Sequence, residues 1–130
     1  TDIDSWINNC KKVLDYKIII ELVDIDNIDE IKRLGDELLS KLKSGIGVLF
    51  SKTSDKPSAV IILTKDLIDL GFNAGSFAKE IGSYMNGGGG GKPHIATAGG
   101  KDKDKVEMAI KKTSNMIIKK LNNMEEKNAV

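Results

Sequence analysis

Between Asn86 and Gly100 the chain reads Asn-Gly-Gly-Gly-Gly-Gly-Lys-Pro-His-Ile-Ala-Thr-Ala-Gly-Gly, and here its residue types could do chemistry. The consecutive glycines Gly87, Gly88, Gly89, Gly90 and Gly91 leave the backbone free to take φ > 0 and to turn unshielded N–H groups toward an anion. Lys92 adds charge at the end of the run and Pro93 stiffens the exit, while Ala96, Ala98, Gly99 and Gly100 permit close approach. That chemistry is anion binding by backbone donors. The same composition also suits a flexible hinge. A linker usually continues in Ser, Gly, Pro or charged residues, whereas this run leads through an extended His94-Ile95-Ala96-Thr97-Ala98 segment into a second glycine pair and a long helix.

Two familiar phosphate motifs fail. The P-loop pattern G-x-x-x-x-G-K-S/T needs glycine where Asn86 stands and Ser or Thr where Pro93 stands. A dinucleotide fingerprint needs spaced glycines after a strand and before a helix, but here the run follows a helix. Catalysis lacks its usual parts as well. His94 is the only histidine and Cys10 the only cysteine, so neither a multi-histidine metal site nor a cysteine pair for zinc can be assembled. The carboxylate pairs Asp66/Asp69 and Asp102/Asp104 read as caps or surface charge. The chain is expected to bind rather than react.

At 130 residues the chain suits one domain, and no apolar run approaches the ~20 residues of a membrane span. A single cysteine and the lack of an opening signal peptide lead to a cytoplasmic expectation. Net charge is +1 but uneven, −3 over residues 1 to 85 and +4 over residues 86 to 130, so the positive half holds the glycines. Aromatic residues make up only 5%, which argues against a base-stacking platform.

The pattern predicts a single α/β (α+β) domain with a central mixed sheet flanked by helices and a glycine-rich loop leading to a long C-terminal helix. Ile3, Trp6, Ile7, Cys10 and Leu14 have helical spacing. Tyr16 to Val23, Ile46 to Ser51 and Ala59 to Thr64 are β-branched runs, the last two joined by a polar turn as a hairpin. Between the first two lies a helix with Asn27 and Glu30 as a capping box, Ile31, Leu34, Leu38 and Leu42 on one face, and Gly45 at its C′ position. Lys65 to Phe72 is a connector without a clear pattern. Asn73 caps a helix that buries Ala74, Phe77, Ala78, Ile81 and Met85. Asp104 and Glu107 form a second capping box before a helix with Val106, Ala109, Ile110, Thr113, Ile117, Leu121 and Met124 on one side. Lys105, Lys112 and Lys119 recur along its flank, a pattern most often explained as a solvated face.

The segment from Gly87 to Gly100, followed by Lys101-Asp102, closely resembles the glycine motif of the DHH-associated domain at the C-terminus of alanyl-tRNA synthetases. Thr64-Lys65-Asp66-Leu67, Ala74-Gly75 and the helix after Lys101 agree in order, so the resemblance covers nearly the whole chain. It implies residues 1–15 as the end of a preceding helical subdomain, 16–124 as the globular domain and 125–130 as a tail. It further implies a non-catalytic domain that holds the elbow of tRNA(Ala) and supports aminoacylation and editing elsewhere in the parent, with a homodimer through the helical region as a further association. This fragment would hold no cofactor; ATP, magnesium and zinc would belong to other parts of the parent. The implied nucleic-acid contacts are Gly87, Gly88, Gly89, Gly90, Gly91, Lys92, Pro93, His94, Gly99, Gly100, Lys101 and Lys105. Two departures stand out: Thr97 replaces the usual glutamine, and Lys92 replaces arginine, which keeps the charge but loses the bidentate fork. The motif is also similar to that of the substrate-binding domain of DHH phosphoesterases, and a dimerisation module is a third reading. On the loop reading, Gly89→Val should be damaging because a β-branched residue resists φ > 0.

Overall fold

In a computed structural model, which describes residues 2–53 and 55–128 with side chains through Met124, six strands form one mixed sheet. In chain order the elements are α1 (Asp2–Asn9), β1 (Lys11–Val13), β2 (Tyr16–Leu22), α2 (Ile28–Lys41), β3 (Gly45–Ser51) and β4 (Ser58–Leu63). There follow α3 (Lys65–Asp69), α4 (Ala74–Tyr84), β5 (Gly88–Gly91), β6 (Ile95–Gly99), a 3-10 turn (Lys103–Lys105) and α5 (Val106–Asn128). Strand order is β1-β2-β3-β4-β6-β5. Only β2 and β3 run parallel, joined by the α2 crossover, and every other pair is antiparallel.

The β-branched runs fill the middle of the sheet because they can be buried on both faces. Every residue of β3 is buried, and β4 sends Ala59, Ile61 and Leu63 to one core and Val60 and Ile62 to the other. On the first side these residues meet α3, α4 and α5 through Leu67, Phe77, Ile81, Val106 and Ile117. On the second they meet α1 and α2 through Ile3, Ile31, Leu38 and Leu42. The result is three layers, helices on both faces of one sheet.

Asn27 caps α2 as expected, its side chain accepting from the N–H groups of Asp29 (2.9 Å) and Glu30 (3.3 Å). Asn73 caps α4 by accepting from the Ser76 N–H at 3.2 Å. The patternless connector is the short helix α3, anchored where Thr64 and Ser44 both donate to the Asp66 carboxylate. Burial pushes that carboxyl upward, but these hydroxyls and the Leu67 N–H outweigh it and hold Asp66 below its ordinary range.

Four local expectations are corrected. The first helix ends at Asn9, and Leu14 belongs to a two-residue turn between β1 and β2, where Leu14 (φ 53) and Asp15 (φ 69) are both left-handed. Helical spacing from Ile3 to Leu14 was fortuitous beyond Cys10. Gly45 opens β3 rather than following α2: a Cβ there would overlap the Lys17 carbonyl oxygen of the parallel neighbour. The C-cap of α2 is Leu42. Before α5 the capping side chain is Asp102, which accepts from the Asp104 N–H at 3.0 Å, while Glu107 is ion-paired with Lys52. Finally, the glycine run is a strand, β5, at the edge of the sheet. The stretch 125–130, expected as a tail, continues α5 through Asn128, and residues 129–130 lie outside the described residues.

Candidate nucleic-acid interface

Glycine is a poor strand former, so tertiary contacts must hold β5 extended. Two neighbours do so. Strand β6 pairs with it from Gly88↔Gly99 to Gly91↔Ala96, and α4 lies on it so closely that backbone meets backbone. A Cβ at Gly82 of α4 would overlap the Gly88 carbonyl oxygen, and one at Gly75 would lie 3.0 Å from that of Gly91. From the strand side, a Cβ at Gly89 would lie 2.5 Å from the Ala78 carbonyl oxygen. Gly75 and Gly82 are seven residues apart, two turns on one helical stripe, and that spacing was a legible but unread signal of the packing.

The other face of β5 is bare. Nothing lies within 4 Å of where a Cβ would stand on Gly88, Gly90 or Gly99. The Lys92 N–H donates to the Ile95 carbonyl at 2.9 Å across the Pro93-His94 turn, which makes 92/95 a hydrogen-bonded pair. Alternation along the ladder then turns Gly90 inward to Thr97 and directs the N–H and C=O of Gly89 and Gly91 off the free edge. Exposed backbone donors therefore exist, but they come from an extended edge rather than from a coiled loop. Of the glycine run only Gly91 has φ > 0, at 151°. Gly89→Val is still expected to be damaging, for a different reason: the side chain would strike α4.

The implied contact residues do not converge on one cavity. Lys92, Pro93 and His94 form the turn at one end of the strand, all exposed. Gly99, Gly100 and Lys101 lie at the other end, five strand residues or roughly 16 Å away. The turn is tied down by backbone alone: Pro93 accepts from the Ala74 N–H (2.9 Å) and His94 from the Leu63 N–H (3.0 Å). Gly100 is buried against Met85, its N–H donating to the Pro57 carbonyl at 3.0 Å, and the Lys101 N–H donates to Met85 at 2.9 Å. Gly87 likewise donates to Gly82 at 2.8 Å. Lys105 sits in the 3-10 turn beyond. The arrangement is a bare glycine edge with a lysine at each end, suited to an extended polyanion.

Sequence reasoning took Lys112 as part of a solvated face and missed its pairing with Tyr84, over whose ring its ammonium lies at 5.5 Å from the centroid. A groove of about 590 Å³ lies elsewhere, between Phe72, Phe77 and Met124. Among the described residues no group of three or more His, Cys, Asp or Glu is placed to hold a metal ion, and no helix is long and apolar enough to cross a membrane.

A mixed sheet with a parallel crossover, ending in a glycine edge strand clamped by a helix, defines a small α/β glycine-motif domain. Its family is the DHHA1 domain: that family's model matches residues 15–123, and the chain belongs to it. Among curated proteins the chain is similar to the alanine–tRNA ligase of Natranaerobius thermophilus, 36% identical over 115 residues. It is also similar to that of Exiguobacterium sibiricum, 38% identical over 113 residues. These matches cover 88% and 87% of this chain but only 13% of each relative's length. Among solved structures it resembles the C-Ala domain of the Aquifex aeolicus alanyl-tRNA synthetase, with a TM-score of 0.74 and 29% identity. That match covers 83% of this chain and 96% of the other.

Proposed function

We propose that the chain is the C-terminal domain of an alanine–tRNA ligase and holds the elbow of tRNA(Ala), while aminoacylation and editing proceed in other parts of the parent. The observation that carries the reading is the glycine edge: side-chain-free backbone with N–H groups directed outward at Gly89 and Gly91, and Lys92 at its end. The similarity to alanine–tRNA ligases over most of the chain supports tRNA as the polyanion. Contact is by shape and phosphate, since A-form RNA hides its major groove and this edge presents no base-reading side chain. ATP, magnesium and zinc belong to other parts of that parent, as does any dimer formed through a preceding helical region, and the setting is the cytoplasm.

The test is a titration of the chain with tRNA(Ala) and with an unrelated tRNA across salt concentrations. Lys92→Ala is expected to weaken both similarly and to reduce the magnitude of the log K against log salt slope by about one. Wild-type affinity and slope in that variant, at an unchanged melting temperature, would remove Lys92 as a phosphate contact and leave the edge without its anchoring charge.

A further inference from the structure

Residues 99 to 120 carry seven lysines against three acids. Two of those acids are engaged: Asp102 caps the 3-10 turn by accepting from the Asp104 N–H, and Glu107 is paired with Lys52, while Asp104 lies within the turn. Among the described residues none of Lys105, Lys112 and Lys119 is in an ion pair. Lys112 instead crosses to α4 and lies over the Tyr84 ring, which fixes the flank of α5 that this row occupies. Lys119 follows on the same flank two turns later, about 10 Å along the axis, and Lys105 precedes it in the 3-10 turn.

Helix α4 thus has the glycine strand against one side, through Gly75 and Gly82, and the lysine row against the other, through Tyr84. We propose that Lys105, Lys112 and Lys119 form a second RNA phosphate-contacting surface, with Tyr84 positioning Lys112, so that the domain meets RNA on both sides of α4. This rests on the reading of the domain as tRNA-binding and extends the contacts beyond the glycine edge and Lys105 to Lys112 and Lys119 of α5. A lysine row on one side of α4, and bare backbone donors with Lys92 at their end on the other, offer phosphate contacts of the kind that recognition of A-form RNA by shape and backbone uses. Docking of an acidic protein is less well served. Protein interfaces centre on an apolar core, and among the described residues the large apolar side chain exposed on α5 is Met108, only 37% exposed.

The experiment uses the 130-residue chain, a tRNA(Ala) transcript and an unrelated tRNA transcript, each titrated across salt. The double variant Lys112→Ala/Lys119→Ala should keep the wild-type melting temperature, weaken both RNAs, and lower the slope magnitude by about two. Tyr84→Phe keeps the ring and should bind as wild type. Tyr84→Ala should fall to the level of Lys112→Ala and add nothing to it in the double variant. If Lys92→Ala weakens binding while Lys112→Ala/Lys119→Ala retains wild-type affinity and slope, the second surface is refuted and the glycine edge survives. If the lysine pair matters and Lys92 does not, the second surface stands and the glycine edge is the reading that falls. Poly-glutamate bound as tightly as tRNA, and released by the same two substitutions, would overturn the RNA assignment in favour of a protein-docking surface.

Discussion

The two edges of the sheet solve the same problem in opposite ways. At one, β1 is three residues long and carries exposed Lys11 and Lys12, charge and brevity that discourage another strand from pairing there. At the other, β5 has no side chains at all, and Gly89 and Gly91 turn unpaired backbone outward. Nothing on β5 itself repels a partner. The difference teaches that β5 has given up the usual protection so that backbone can be approached closely on two sides, by α4 from within and, on the proposed reading, by phosphate from without. A glycine strand has little stability of its own, so its order depends on α4.

The largest expected effect breaks that dependence. In Gly82→Ala the new methyl group would overlap the Gly88 carbonyl oxygen, and because both partners are backbone neither can swing aside. Overpacking of this kind costs about 1–3 kcal/mol. Thermal unfolding should show a lower melting temperature, and hydrogen exchange should show lost protection at Gly90 and Thr97, the β5–β6 pair. A comparable substitution on β1, Lys12→Ala, should leave both unchanged. Full protection of Gly90 in Gly82→Ala would mean that α4 does not hold the strand.

A smaller effect sharpens the comparison by separating fold from function. Gly90→Ala places a methyl group on the bare face, where nothing lies within 4 Å and φ is ordinary. It should leave stability unchanged or raise it by up to about 1 kcal/mol, through the restricted unfolded chain. If RNA lies on this face, affinity for tRNA should nevertheless drop. Unaltered binding in a stably folded Gly90→Ala would restrict any contact to the outer edge and the flanking lysines.

Much of this architecture was legible in the sequence. The runs around Ile19, Val48 and Ile61 are too apolar and β-branched for anything but buried strands, and Asn27 and Asn73 mark their helices by cap chemistry. The glycine motif was legible as a place of bare backbone and anion affinity, but not as a strand. Local propensity opposes that state, and only the spacing of Gly75 and Gly82 on a separate helix reveals what enforces it. Gly45 misled for a related reason: its lack of a Cβ is needed by Lys17 on a parallel neighbour, not by the helix just before it. Tyr84 and Lys112, 28 residues apart, were illegible as a pair because only the docking of α5 against α4 joins them.

The smallest expected effect lies at the guarded edge, where β1 turns into β2. Leu14 and Asp15 both have φ > 0, as a two-residue turn between right-twisted strands requires, but leucine is ill suited to that region. Leu14 is 40% exposed and outside both cores, so little packing compensates for its conformation. Leu14→Asn should therefore stabilise the chain by about 0.5–1 kcal/mol, since asparagine tolerates the left-handed region. The gain should be read as a raised denaturant midpoint with an unchanged m-value, and tRNA binding should not move because β1 lies five strands away from β5. A drop in stability would show that the Leu14 side chain contributes packing beyond its exposed position. A change in RNA affinity would extend the candidate interface to the edge that its lysines were taken only to protect.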